Sequence, residues 1–520
     1  MAVELTFKSV VSYGLLSLIF YWFYKVLDWA WLKPKRYEKI LRSQGLKGNP
    51  YRLLTGDQQE SGAIIKEALS KPIGFEDDLS KRLIPHIRKA VQTHGKNSFM
   101  WVGRIPRVLV TDPDLVREVL TKYYKFHKNL HDHDPITRVL LTGVGMLEGE
   151  PWAARRKIIK SAFFFEKLKN MLPAFYISTI EMIDKWDKTI PAGGSAEVEV
   201  WEDLRVLSGD VTARTLFGEE FKELGGIIYD LLQELNLLTM EVIRSVYIPG
   251  WRFLPTKRNN RMRAIDKEIR ERVLEIITKK KKQILSGEHT GTDFLSTLLE
   301  CNLNEIKEFG KNVEMSLEEI IKECKLFFLA GQDTTASLVT WTLVFLCRFP
   351  EWQRRAREEV LQIIGDKKPD YDGISHLKTL NMILYETLRL YPPIVELTKV
   401  AQEDTQLGSY FIPAGTHLMM PQMLLHYDPK YWGDDVLEFK PQRFAEGVVN
   451  ATKMQGAYFP FSLGPRMCIG QNFSLMESKM TLSLLLRRYS FELSPNYVHA
   501  PFQVITMQPQ YGANLIVHKL

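Results

Sequence analysis

The 520-residue sequence predicts a mainly α chain with a small β portion, preceded by one N-terminal transmembrane helix. Three observations carry this expectation. Apolar residues recur at helical spacing over most of the length, strand-like alternation is confined to a few short stretches, and an uncharged apolar run stands near the N-terminus. The composition, 45% hydrophobic and 25% charged, is that of an ordinary globular protein with ample material for a large core. No Ser/Gly-rich linker, low-complexity tract or internal repeat divides the chain. The simplest organisation is an anchor at residues 1–32, a basic linker or hinge at 33–60, and one large domain at 61–520.

The elements follow in chain order. Residues 9–24 are uncharged and rich in Leu, Ile, Phe, Tyr and Trp, and the apolar character resumes after Lys25 through Val26, Leu27, Trp29, Trp31 and Leu32. The uninterrupted core is slightly short of the ~20 residues of a span. Lys25 and Asp28, one helical turn apart, can pair or snorkel at an interface. Trp29 and Trp31 suit an aromatic belt, and Lys33, Lys35, Arg36, Lys39 and Arg42 then keep the domain cytoplasmic by the positive-inside rule. Helical periodicity is expected at 115–125, 151–171, 174–188, 202–217, 225–246, 261–277, 316–349 and 352–364. The run Lys279, Lys280, Lys281 and Lys282 reads as a solvated helix end. Strand-like stretches are 99–110, a hairpin within 406–420, and 489–518.

Charge and cysteine usage narrow the function classes. The net charge of +7, from 69 basic and 62 acidic residues, is modest, and no basic run interleaved with aromatics forms a nucleic-acid groove. The four cysteines, Cys301, Cys324, Cys347 and Cys468, make no CxxC motif and no disulfide framework, which suits a reducing compartment.

Four segments carry chemistry. The first is Phe461-Ser462-Leu463-Gly464-Pro465-Arg466-Met467-Cys468-Ile469-Gly470. A soft thiolate on a glycine-flanked turn can hold a haem iron from one side. Gly464 and Gly470 let the backbone approach a flat macrocycle, Arg466 can bond a carboxylate, and Phe461 can exclude water. The second is Ala330-Gly331-Gln332-Asp333-Thr334-Thr335, inside a long apolar helical pattern. Asp and Thr side chains compete with backbone bonding there, and Gly331 lowers helix propensity by about 1 kcal/mol. A groove admitting dioxygen and water beside an acid and an alcohol would offset those costs. The third is Glu386-Thr387-Leu388-Arg389, whose Glu and Arg share a helix face, with Arg443 downstream in Phe439-Lys440-Pro441-Gln442-Arg443-Phe444. The fourth is Trp152-Ala153-Ala154-Arg155-Arg156, with Trp152 and Arg156 stacked four apart.

Taken in chain order, 152–156, 330–335, 386–389 and 461–470, the four segments resemble those of the cytochrome P450 family, nearly along the full chain. The resemblance implies the cytochrome P450 fold and a haem-thiolate monooxygenase. It makes Cys468 the axial ligand of haem b iron, with Trp152, Arg156, Lys399, Phe461 and Arg466 around the haem. Asp333 and Thr334 would deliver protons for the activation of dioxygen, and Glu386, Arg389 and Arg443 would form a structural network that fixes the haem loop. Lys399 stands where arginine is common and lacks its planar fork. The proline-rich hinge often found after the anchor is reduced to residues 45–50. The implied partners are NADPH–cytochrome P450 reductase, with NADPH acting only through it, and membrane lipid of the endoplasmic reticulum; no nucleic acid is implied.

Segments 101–107, 247–259, 324–327, 369–376 and 497–501 resemble a plant branch of the family that oxidises terpenoids, which implies an iridoid glucoside as substrate. Oxidation of a later iridoid, a triterpenoid or a gibberellin remains an alternative, as does a non-catalytic membrane haem-binding protein. By the same analogy the pocket draws on residues 130–146, on Phe328 and Leu329, on 394–398, and on 504–506 with Ile505 and Thr506. Glu396, if it faces that pocket, can bond sugar hydroxyls and would repel a carboxylate; otherwise it meets solvent or Lys399.

Overall fold

An unbroken helical run opens the chain: α1 (Ala2–Leu27), a π-helical turn (Asp28–Leu32) and α2 (Lys33–Ser43). The computed structural model describes residues 2–128, 142–244, 250, 253–287, 293–309 and 315–520. Residues 130–141 of the expected pocket, and 247–249 and 251–252 of the segment 247–259, therefore lie outside the described residues. One described helix, Ser9–Ser43, is long and apolar enough to cross a membrane. Lys25 and Asp28 do not pair. Helical side chains lean toward the N-terminus, so Lys25 lies over the Tyr21 ring at 5.4 Å, and Arg36 reaches back to Asp28 at 2.5 Å.

Residues 33–60 pack against the domain. Tyr37 Oη donates to the Ala414 carbonyl at 2.5 Å, Gln44 Nε2 to Phe411 O at 2.9 Å, and Tyr51 Oη to Ala30 O at 2.6 Å. The Arg104 guanidinium sits 4.9 Å from the Trp29 ring centre.

The largest sheet contains β1 (Lys47–Gly48), β2 (Ser98–Val102), β3 (Ile105–Leu109), β4 (Phe126–His127), β5 (Leu397–Ala401) and β6 (His417–Met420), in the order β1-β2-β3-β6-β5-β4. The stretch 99–110 is thus a hairpin that turns at Gly103 (φ +56°). Of 406–420, Thr405–Leu407 and Tyr410–Ile412 form the expected hairpin, while β6 joins the large sheet. Register sets the faces: Arg107 opposes His417, and His417 opposes Val400, whereas Lys399 opposes Leu418. With period 2, Arg107 and Lys399 lie on opposite faces.

The helices that build the interior are α3 (Gly149–Ala162), α4 (Phe165–Thr189), α5 (Val200–Phe217), α6 (Lys222–Arg244), α7 (Lys257–Leu285), α8 (Leu317–Arg348), α9 (Lys378–Leu390) and α10 (Gln471–Arg488). The break between the expected stretches 151–171 and 174–188 falls instead at Phe163 and Phe164, and α4 holds Pro173 in its interior. Of the four-lysine run, Lys279, Lys281 and Lys282 are exposed near the end of α7 as expected, and Lys280 is the exception. α7 continues beyond the run, and Lys280 falls on the stripe of Val273, Ile276 and Ile277, so it is 2% exposed and pairs with Asp293 at 2.9 Å.

α8 carries the acid–alcohol segment. It starts at a capping box, Ser316 with Glu319, and stops at Phe349, where Pro350 begins the next helix. It crosses α5 closely. A Cβ on Gly331 would lie 3.0 Å from Thr212 Oγ1, and one on Gly209 would lie 2.7 Å from Gln332 Nε2. Gly331 therefore serves the approach of two helices, a role distinct from the groove expected of it.

Glu386 and Arg389 on α9 are both 0% exposed. Arg389 Nε and Nη2 donate to the two Glu386 oxygens at 2.8 Å, and its remaining donors reach the carbonyls of His426, Val436 and Glu438. The Lys440 N–H also donates to Glu386, at 2.8 Å. Arg443 Nε approaches Glu386 only to 3.5 Å and makes its hydrogen bonds to Trp432 O and Asp435 O. The network thus grips residues 426–440 directly. It reaches the Cys468 loop through His426, whose Nε2 accepts the Phe459 N–H at 3.4 Å. Truncating Arg389 to Ala leaves a buried carboxylate uncompensated and should cost about 3–5 kcal/mol, read as a lower denaturation midpoint and loss of correctly folded protein.

Candidate active site

The Cys468 loop is built by local backbone constraints. The Cys468 N–H donates to Phe461 O at 2.9 Å, closing a turn in which Ser462 (φ +66°) and Gly464 (φ +70°) take left-handed conformations. A Cβ on Gly464 would also lie 2.8 Å from Leu120 O, so glycine is required there. Gly470 differs from expectation. Its φ of −88° suits any residue, and an added Cβ would make only an ordinary 3.9 Å contact with Cys468 Sγ. Its contribution is the N–H aimed at the sulfur, which with Lys128 and Arg156 opposes the rise in thiol pKa caused by burial. Phe461 packs against the main core. The Cys468 side chain is nonetheless accessible. Accessibility and desolvation agree if the sulfur opens onto a space enclosed by the fold.

Cations converge on that space from four segments. Arg466, 7% exposed, lies over the Trp152 ring at 4.3 Å and donates Nη2 to Leu147 O and to Glu148, yet its Nε and Nη1 are buried without a partner. Arg156 lies 5.8 Å from the Trp152 ring centre and donates to Met467 O at 2.6 Å. Lys399 Nζ is buried without a partner, and burial with Lys128 and Arg466 nearby presses its pKa down to about 7. Burial and Arg466 hold Lys128 at about 8. Glu148 is the acid among them. Orphaned buried cations call for anions, and the two propionates of a haem fit this set. Among the described residues no three His, Cys, Asp or Glu side chains gather as a metal site. A lone thiolate suits an iron whose other ligands come from a macrocycle. Trp152, Arg156, Lys399, Phe461, Arg466 and Cys468 would hold the haem.

The acid–alcohol segment splits three ways on α8. Asp333 turns toward α5 and α6. Gln233 Nε2 donates to both of its oxygens at 3.3 Å, and Arg205 Nε lies 3.6 Å away, an ionic contact too long for a hydrogen bond. Burial raises the Asp333 pKa, while Arg205 and Gln233 oppose that rise. Arg205 in turn bonds Glu202, which is largely exposed, at 2.7 Å. Thr334 keeps an accessible hydroxyl and donates to Ala330 O at 2.8 Å, and Thr335 bonds Ser474 on α10 at 3.0 Å. Phe328 is buried in a second apolar cluster, against which Leu329 and Ile505 pack.

Glu396 is half-buried and does not pair with Lys399. Its carboxyl is raised by burial and opposed by Arg107, because β5 directs positions 396 and 399 to different faces. Thr506 Oγ1 is buried without a partner, and Met507 N donates to Pro393 O at 2.9 Å. The described end of the 130–146 region is tied to α8, with Thr142 Oγ1 on Lys322 O and Val144 N on Glu323. Sequence reading missed Gln233, Arg205, Lys128, Glu148 and Arg107, which reach the site from distant elements and carry no local motif.

The family model described as Cytochrome P450 matches residues 76–513. The chain belongs to the cytochrome P450 family. It is 68% identical to 7-deoxyloganic acid hydroxylase of Catharanthus roseus, an alignment covering 99% of this chain and 100% of that protein. It is 50% identical to secologanin synthase 1 and to secologanin synthase 2 of the same plant, each over 99% of this chain and 98% of the relative.

Replacing Lys399 by Met should speed haem loss about tenfold, whereas Arg, which restores a charge with a planar fork, should not. Transfer of haem to apomyoglobin measures both rates.

Proposed function

We propose that this chain hydroxylates 7-deoxyloganic acid to loganic acid as a membrane-anchored monooxygenase. The observation that carries this is 68% identity over essentially the whole length of both chains. The 50% identity to the secologanin synthases supports the wider setting of iridoid chemistry and is too low to favour their reaction over the first.

The bound haem supplies the oxidising power, and the protein supplies orientation and protons. Thr334 Oγ1, accessible and one residue from Asp333, holds a proton at the oxygen-binding side of the cavity. Asp333, whose pKa burial raises, stands one residue away as the acid that replenishes Thr334. The apolar cluster containing Phe328 keeps bulk water out. Electrons arrive singly from an NADPH-dependent reductase that faces the Cys468 side. The Ser9–Ser43 helix holds the enzyme in the endoplasmic reticulum membrane, with the large domain on the cytoplasmic side.

Microsomes carrying the enzyme and its reductase, fed 7-deoxyloganic acid, loganic acid, loganin and a triterpenoid acid, should convert the first to loganic acid by mass analysis; no conversion of any iridoid removes the assignment. Thr334→Ala should raise hydrogen peroxide released per NADPH at least about threefold, and unchanged coupling to product removes the proton-holding role.

A further inference from the structure

The sheet that carries Lys399 holds, on its other face, two opposite charges that no hydrogen bond occupies. Arg107 lies on β3 and Glu396 immediately precedes β5. Arg107 opposes His417, which opposes Val400, and counting back in twos brings Thr398 and then Glu396 to the same face. Both side chains are half-buried. Arg107 Nε is fully buried without a partner, and among the described residues no ion pair or hydrogen bond engages its fork or the Glu396 carboxylate. Arg389, in the same protein, uses its whole fork. A buried guanidinium N–H left without an acceptor is costly. Its planar donors match a two-oxygen acceptor brought from outside the chain.

The surroundings extend the match. His86 Nδ1 is buried without a partner, and burial together with the Arg107 charge presses its pKa down to about 4, so the imidazole is neutral and available for hydrogen bonding. Thr506 Oγ1 is also unpartnered, on the turn that Met507 N fastens to Pro393 O, three residues from Glu396. Burial raises the Glu396 carboxyl and lowers the Arg107 guanidinium, and each charge partly relieves the other. A guanidinium attracts a carboxylate, and Glu396 repels one but accepts hydroxyl donors.

We infer that Arg107 receives the carboxylate of an acidic terpenoid glycoside and Glu396 accepts hydroxyl hydrogen bonds from its sugar, so that the pair orients the substrate and selects the acid over its ester. This rests on the proposed function and names residues that would read its substrate. Attraction at one point and repulsion at the other admit a single orientation.

The test is equilibrium binding to purified full-length holoenzyme, followed by the substrate-induced change in haem absorbance. The ligands are 7-deoxyloganic acid, its methyl ester, its aglycone, and a triterpenoid acid with its methyl ester. Arg107→Gln should weaken the iridoid acid about 10–100-fold and its ester by less than about twofold. Arg107→Lys, which keeps charge without the fork, should fall between, and the carbon-monoxide difference spectrum certifies intact protein for both. Glu396→Leu should weaken the glucoside about tenfold more than its aglycone. Equal weakening of acid and ester by Arg107→Gln, or weakening of neither, overturns the inference. Wild-type binding of the triterpenoid acid alone, with its acid–ester preference lost in Arg107→Gln, overturns the iridoid assignment and leaves the carboxylate role of Arg107 standing.

Discussion

The ion pair between Glu386 and Arg389 is the contact on which the cysteine side of the protein depends. Neither residue touches solvent, so each compensates the desolvation of the other. What distinguishes the pair from an ordinary i,i+3 contact is the use of the spare donors. Three carbonyls from residues 426–438 converge on one guanidinium, and the Lys440 N–H returns to the carboxylate. A segment with only short helical turns, Gln422–His426 and Pro429–Trp432, is thereby pinned to α9. That segment precedes the Cys468 loop, and His426 hands the constraint on to Phe459.

Upstream of that contact the electrostatics run the other way. Lys128, Arg156, Lys399 and Arg466 repel one another around a single acid, Glu148, and the depressed pKa values of Lys128 and Lys399 express that strain. A fold that gathers like charges around an accessible thiol is most stable when a dianionic, thiol-seeking group fills the space. Binding free energy and folding free energy are then shared. The same logic in miniature applies to the idle fork of Arg107.

How much was legible in the sequence depended on whether the chemistry was local. The turn at Cys468 is written in ten consecutive residues, and Glu386 with Arg389 in four. The helix content and the extent of α8 followed from periodicity. The partners of Asp333 were invisible, since Gln233 is a hundred residues away in the chain. Lys280 was misread because a run of four lysines hides the one that faces inward, and Gly331 because its neighbour is a threonine on another helix. Glu396 was undecidable for a third reason: only strand register says which face a residue takes, and register is a property of three strands at once.

The helical run at the N-terminus acts as a rigid shaft. From Ala2 to Ser43 there is no residue at which the backbone leaves helical geometry, and Trp29, Tyr37 and Gln44 are fastened to the domain. A span that tilts to match the thickness of its bilayer therefore turns the attached body with it. Bilayer thickness thereby sets the angle at which the domain meets the membrane surface.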